Sequence, residues 1–132
     1  MDIKAENVAI NENTLALKIV DFGFAMSGHE NVCRMSIFCG TPCYMAPEVF
    51  EKKFYDGRHC DIWAMGVLFH YVLTMNFPFH GKNDKELAAS VKEVDWNGKF
   101  VVGCHVDLIN MFNRVFVKEG RNRPTAEDVR FF

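Results

Sequence analysis

No apolar run in this chain is long enough to span a bilayer. The longest, residues 62–75, is broken by His70 and Thr74 and reads as a buried helix. No apolar stretch follows Met1, which leads straight into Asp2, so no signal peptide is expected. No Cys-x-x-Cys pair occurs among the five cysteines, Cys33, Cys39, Cys43, Cys60 and Cys104. Their number is odd, so reduced cytosolic thiols are expected rather than a disulfide framework or a zinc site. His59-Cys60-Asp61 lacks the usual spacing of zinc ligands. No charge dominates: the net charge is −2, and neither nucleic acid nor an anionic membrane is expected as a partner. Repeats and low-complexity segments are absent.

What remains is an ordinary globular composition, 49% apolar and 24% charged, over 132 residues. That is room for one domain, burying roughly two-thirds of its surface if it folds alone. Val8-Ala9-Ile10 and residues 15–20 are short apolar runs separated by the turn-like Asn11-Glu12-Asn13. They predict a hairpin with Asn7 at one end and Asp21 at the other. Residues 24–45 hold Gly28, Gly40 and Pro42 without periodicity and predict a long loop. Residues 61–75 are apolar on nearly every face, which predicts a central buried helix ended by Phe77-Pro78-Phe79. Asn83 and Glu86 predict a capped helix carrying Leu87, Val91 and Val94. Leu108, Met111, Phe112, Val115 and Phe116 predict an amphipathic one. Thr125-Ala126-Glu127-Asp128 predicts the cap of a final short helix. The expected fold is mainly α with one short β-hairpin.

Three blocks carry chemistry. Asp2 is followed five residues later by Asn7, with Lys4 between them. Asp21-Phe22-Gly23 comes next, and then Gly40-Thr41-Pro42-Cys43-Tyr44-Met45-Ala46-Pro47-Glu48. Phosphoryl transfer to a hydroxyl needs a carboxylate to orient the hydroxyl and take its proton, metal ions on the phosphates, and a rigid frame. Asp2, Asn7 and Asp21 supply the hard oxygens that magnesium prefers. Order and spacing of these blocks resemble the back half of a eukaryotic serine/threonine protein kinase domain. Asp61-Ile62-Trp63-Ala64-Met65-Gly66-Val67 and Arg121-Asn122-Arg123-Pro124 extend the resemblance over residues 2–129.

The resemblance implies a fold and roles. The fold is a protein-kinase-like C-terminal lobe, truncated at its N-terminal side, so that residues 1–132 form a partial kinase domain. Asp2 is implied as the base, and Lys4 as the cation that neutralises the transferred phosphoryl group. Asn7 and Asp21 are implied as magnesium ligands in an ATP site. Thr41 is implied to hydrogen-bond Asp2 and Lys4. Glu48 is implied to pair with Arg123, and Asp61 to tie the central helix to the catalytic-loop backbone. Phe38-Cys39-Gly40-Thr41-Pro42 and Asp21-Phe22-Gly23-Phe24 are worded most like the calmodulin-dependent and AMP-activated kinase group.

The chain also departs from that pattern. The Gly-rich phosphate loop, the strand Lys, its helix Glu and the hinge would all precede Met1, and Met1 stands in place of the usual Arg before the catalytic Asp. Ile37 occupies the activation-loop phosphorylation position, with Ser36 beside it and no basic cluster to receive a phosphate, so phosphorylation there is not expected to be required. Tyr71 occupies a place where some Arg-directed kinases carry a substrate-reading Glu, leaving a preference for basic substrates unsupported. Cys39 and Cys43 flank the peptide-binding segment, and inert side chains are expected there. The partners implied are ATP, magnesium and a Ser/Thr protein substrate, in the cytoplasm or nucleus. The sequence as it stands is expected to be inactive alone and to expose a lobe surface that a partner could cover. The alternative is a non-catalytic binding or decoy module.

Overall fold

A computed structural model describes residues 1–26, 34–35, 40–51, 54–96 and 105–129. It opens with a 3-10 turn, Ala5–Asn7, that feeds the strand β1, Val8–Ile10. Asn11 turns the chain: its Oδ1 accepts the backbone N–H groups of Asn13 and Thr14, both at 3.0 Å. The chain returns as β2, Leu17–Ile19, antiparallel to β1 with Val8 opposite Ile19. The strand is shorter than the apolar run 15–20, because Leu15 sits at φ 54 inside the turn. The hairpin is nonetheless where the two apolar runs around Asn11 put it.

A second sheet was not foreseen. β3, Arg34–Met35, pairs antiparallel with β4, Tyr55–Asp56. Two-residue strands carry no periodicity to read, so the expectation of a single hairpin is corrected here. Part of the predicted long loop is also structured, as a 3-10 turn Pro42–Tyr44 followed by the one-turn helix α1, Pro47–Phe50. Pro42 and Pro47 each stand at a helix start, where the missing N–H costs nothing.

The central helix α2 runs Gly57–Thr74, four residues longer at its start than its apolar stretch. Asp56 caps it, accepting the Arg58 backbone N–H at 2.9 Å. It ends at Met75, in the left-handed region at φ 55, before Phe77-Pro78 is reached. Ile62, Trp63, Ala64, Gly66, Val67 and His70 are buried along it. A Cβ on Gly66 would lie 2.5 Å from Val115, so glycine is what lets the amphipathic helix approach. That helix is α4, Val106–Val115, and it buries Met111, Phe112 and Val115. Between them, α3 spans Asp84–Glu93 with Asn83 Oδ1 accepting the Glu86 N–H at 3.0 Å, the cap the sequence predicts. The last helix, α5, Ala126–Val129, begins at Thr125, whose N–H and hydroxyl both donate to Asp128 at 2.8 Å.

The core is aromatic. Trp63 stacks on Phe79 at 5.1 Å and meets Phe116 edge-on at 5.1 Å, and Phe116 stacks on Phe112 at 5.7 Å. Each such pair contributes about 0.5–1.5 kcal/mol beyond the area it buries. No helix among the described residues is long and apolar enough to cross a membrane. The all-round apolar face of α2 is covered only in part. Phe69, Val72 and Leu73 are 43%, 61% and 48% exposed, which leaves a stripe at i, i+3, i+4 facing water.

His70 lies fully buried beside Phe112, at 5.5 Å, and Trp96, at 6.3 Å. Its Nδ1–H donates to the Asn76 carbonyl at 2.8 Å, pinning the turn after α2. Burial holds its pKa below the ordinary value; the Asn76 bond opposes that shift, and the charge of His80 adds to it. A lowered folded pKa means that the unfolded chain takes up a proton the folded chain resists. The contribution of neutral His70 is therefore full above the ordinary histidine value of about 6.5 and is lost as pH falls through the folded value. The melting temperature is expected to fall by a few degrees between pH 7 and 5, and His70→Asn to flatten that slope. Equal slopes in both proteins would remove His70 as the cause.

Candidate functional site

The polar cluster sits where the chain start, the hairpin and the Pro42–Tyr44 turn meet. Lys4 Nζ is 2.7 Å from Asp2 Oδ2 and donates to Thr41 Oγ1 at 3.2 Å. One ammonium thus joins the carboxylate to a hydroxyl 37 residues away. The Asp2 carboxylate holds the Lys4 pKa above its ordinary value, with a smaller contribution from the charge of Asp21. Asn7 is buried, and its Nδ2 donates to the Asp2 carbonyl at 2.8 Å. That bond commits the amide nitrogen and leaves Oδ1 as the acceptor end of the side chain.

Asp21 is delivered by the hairpin register. The Val20 N–H donates to the Asn7 carbonyl at 2.8 Å, so the residue after Val20 leaves β2 beside Asn7. Asp21 lies in the left-handed region at φ 60, and its Oδ1 accepts the Gly23 N–H at 3.1 Å. This sparsely populated backbone turns the carboxylate out of the strand path, the kind of strain that accumulates at functional sites.

Gly40 closes the other side. It sits at φ 112, and a Cβ there would stand 3.5 Å from Asp2 Oδ1. Glycine answers the backbone angle, while 3.5 Å is an ordinary contact that a Cβ could make. Tyr44 then packs beneath: its hydroxyl accepts the Ala5 N–H at 3.4 Å, and burial pushes its pKa up. Neither contact was anticipated from sequence; a Tyr two residues beyond a proline has no signature of its own. The cavity beside Asp2, bordered by Thr41, Tyr44 and Asp61, measures about 50 Å³. That is room for a few waters only, against roughly 300–1,000 Å³ for a small-molecule pocket.

The expected ion pair between Glu48 and Arg123 is present. Arg123 Nη1 and Nη2 meet the two Glu48 oxygens at 2.7 and 2.8 Å. The remaining donors go to the carbonyls of His59 at 3.0 Å, Lys118 at 3.2 Å and Val117 at 2.9 Å. All five N–H groups of the guanidinium are therefore used. The guanidinium carbon also lies 4.8 Å from the centre of the Trp63 ring. Cys60 adds a donor that the sequence did not suggest, Sγ to Glu48 Oε1 at 3.4 Å. Burial and the Glu48 charge push its thiol pKa well up, so it stays protonated. Cys43 is likewise pushed up by burial, in keeping with an inert thiol. Asp61 lies 3.1 Å from the Met1 amino group, which ties α2 to the start of the chain. Ser36, Ile37, Phe38, Cys39, Cys33 and Cys104 lie outside the described residues.

The sequence profile of the protein kinase domain family matches residues 1–130. The chain belongs to the protein kinase domain family. Its relatives within that family include the serine/threonine-protein kinase SIK2 of Gallus gallus, 34% identical over 131 residues. Sperm motility kinase Z of Mus musculus is 35% identical over 133 residues. The alignments cover 98% and 97% of this chain but only 16% and 25% of those two relatives. The chain is thus a kinase domain fragment relative to them, about half helical among the described residues with two small antiparallel sheets, and SIK2 is by name a serine/threonine kinase. Within this kinase domain fragment, Asp2, Lys4, Thr41 and Asn7 are brought together. Asp21 stands at the adjoining hairpin end, and Glu48, Cys60 and Arg123 form a separate anchor behind the Ala46-Pro47 turn.

Proposed function

We propose that this segment is the catalytic-loop half, the C-terminal lobe, of a serine/threonine protein kinase that transfers the ATP γ-phosphoryl group to protein Ser or Thr. The observation that carries the reading is the Lys4 ammonium shared by Asp2, at 2.7 Å, and Thr41, at 3.2 Å. Asp2 is the carboxylate that orients the substrate hydroxyl and receives its proton. Lys4 stands ready to offset charge on the transferred group, and Thr41 fixes where that ammonium points. Asn7 Oδ1 and the Asp21 carboxylate would hold magnesium. Two hard-oxygen donors suit an ion that keeps several waters. When bound, magnesium neutralises charge on the nucleotide phosphates. The Glu48–Arg123 anchor stiffens the segment that seats the peptide. Among the described residues, the cavity of about 50 Å³ beside Asp2 leaves no room for a nucleotide, and in this reading activity belongs to a chain that also supplies a nucleotide-binding half.

Magnesium–ATP binding and phosphotransfer to a Ser/Thr peptide mixture test this, on the 132-residue chain and on a chain extended through the nucleotide-binding half. Activity is expected only from the extended chain. Asp21→Asn in that chain is expected to weaken magnesium-dependent nucleotide binding by at least the 10- to 100-fold typical of losing a ligand's supporting partner. Unchanged titration calorimetry would take Asp21 out of the metal site.

A second reading has its own observation. The exposed stripe of Phe69, Val72 and Leu73 on α2, together with Leu17 at 65% exposure on β2, is apolar surface of the kind that marks partner sites. It favours a non-catalytic binding module. Phosphotransfer by the extended chain decides against that reading, and peptide binding without transfer in either chain decides for it.

A further inference from the structure

We infer that the backbone N–H of Ala5 is a positioning group, capped across the fold by the Tyr44 hydroxyl, and that this contact sets the register of the turn carrying Asn7 and, through it, of Asp2. The inference rests on the kinase reading for the reaction it serves, and on geometry for the contact. Ala5 is the first residue of the 3-10 turn Ala5–Asn7. The first N–H groups of such a turn have no partner inside it, and a side chain at the preceding position commonly supplies one. Lys4 holds that position and makes no side-chain cap bond. Its ammonium is committed instead to Asp2, at 2.7 Å, and to Thr41, at 3.2 Å. The cap comes from 39 residues away: Ala5 N–H donates to the Tyr44 hydroxyl at 3.4 Å.

Two turns are thereby joined at two points. Lys4 and Thr41 precede the 3-10 turns Ala5–Asn7 and Pro42–Tyr44, and their side chains meet. Ala5 opens the first turn and Tyr44 closes the second, and they meet as well. One contact fixes a distance and leaves two elements free to swing; two contacts also fix how one is turned against the other. The Ala5 end matters most for the site, because its turn closes at Asn7. The Asn7 N–H donates to the Lys4 carbonyl at 3.1 Å, and its side chain to the Asp2 carbonyl at 2.8 Å. Its own carbonyl receives the Val20 N–H at 2.8 Å, one residue ahead of Asp21. A turn that rocks about Lys4 therefore displaces Asp2, Asn7 and Asp21 together, and small displacements of reacting groups are costly. Tyr44 is a firm support: its ring is buried and edge-on to Phe77 at 5.5 Å, and its N–H donates to the Thr41 carbonyl at 2.9 Å. Burial keeps its hydroxyl protonated.

Proline fits at position 5 without disturbing the backbone. Lys4 is extended, at φ −160 and ψ 166, as a residue before proline prefers, and the first position of a turn tolerates a missing N–H. Ala5→Pro thus deletes the donor and, by fixing φ, stiffens the turn by itself.

The test is a cycle of Tyr44→Phe and Ala5→Pro in the chain extended through the nucleotide-binding half. It is read as kcat and peptide KM with magnesium–ATP, and as hydrogen exchange at the Ala5 amide. Tyr44→Phe removes one oxygen and keeps the ring. It is expected to lower kcat about 3- to 10-fold, the range of one neutral hydrogen bond, and to speed Ala5 exchange by a similar factor, with peptide KM and melting temperature unchanged. In the Ala5→Pro background the same change should lower kcat by less than about 2-fold, because no N–H is left to hold. Equal losses of kcat in both backgrounds overturn the inference, since the hydroxyl would then act elsewhere. So does a Tyr44→Phe chain with wild-type kcat, with only peptide KM altered, or with unchanged Ala5 exchange. If the wild-type extended chain transfers no phosphate, the kinase reading falls and exchange at Ala5 decides alone: faster exchange in Tyr44→Phe supports the capped turn, and unchanged exchange overturns it.

Discussion

Asp2→Asn is expected to lower phosphotransfer turnover by about two to four orders of magnitude in a chain extended through the nucleotide-binding half, with nucleotide affinity nearly unchanged. The amide keeps the size of the side chain and its place beside Lys4, but it cannot take up the substrate proton. The separation of effects follows from the geometry. Asn7 is held by the Asp2 backbone carbonyl, at 2.8 Å, and not by the carboxylate that the substitution removes. The metal-binding end of the loop should therefore survive. Single-turnover kinetics together with nucleotide titration measure both quantities. Retention of most of the turnover would show that Asp2 is not the base.

Breaking the Glu48–Arg123 pair is expected to produce the largest loss of stability in the chain. Arg123 is fully buried at its side chain and Glu48 is 20% exposed. Removing one partner of such a pair strands the other in low dielectric, at a cost of about 3–5 kcal/mol. Arg123→Ala should be the worse of the two, because it also orphans the carbonyls of Val117, His59 and Lys118. Arg123→Lys should not rescue it, since an ammonium cannot address two carboxylate oxygens and three carbonyls from one planar fork. A double-mutant cycle between Glu48→Ala and Arg123→Ala should give a coupling well above 1 kcal/mol by denaturant unfolding. A coupling near zero would mean that the contact contributes nothing to folding.

These two predictions stand differently towards the sequence. Asp2, Lys4 and Asn7 lie within six consecutive residues, so their proximity could be read directly from the chain. Glu48 and Arg123 are 75 residues apart, and only the resemblance to kinases suggested pairing them. The contribution of Cys60 to that pair carried no signal at all. A cysteine at the start of a helix is chemically silent until folding places a carboxylate 3.4 Å from it.

The sequence by itself determined the elements whose stabilisation is local. The hairpin followed from two apolar runs around Asn11, the α3 cap from Asn83 and Glu86, the α4 face from its spacing, and the α5 start from Thr125 and Asp128. Each depends on side chains within a few residues of one another, which is the range over which a pattern can be read. The tertiary structure decided what depends on distant partners. It added the β3–β4 pair, whose short strands are stabilised by pairing across the fold rather than by propensity. The α2 start at Gly57, capped by Asp56 two residues before Arg58, and its left-handed end at Met75 are local too, but lie outside the apolar stretch that pointed to the helix. The tertiary structure also left one stripe of α2 in water, although the residues there are as apolar as those facing the core. Hydrophobicity says that a residue gains from burial; only the arrangement of the other elements says which of several apolar faces is covered.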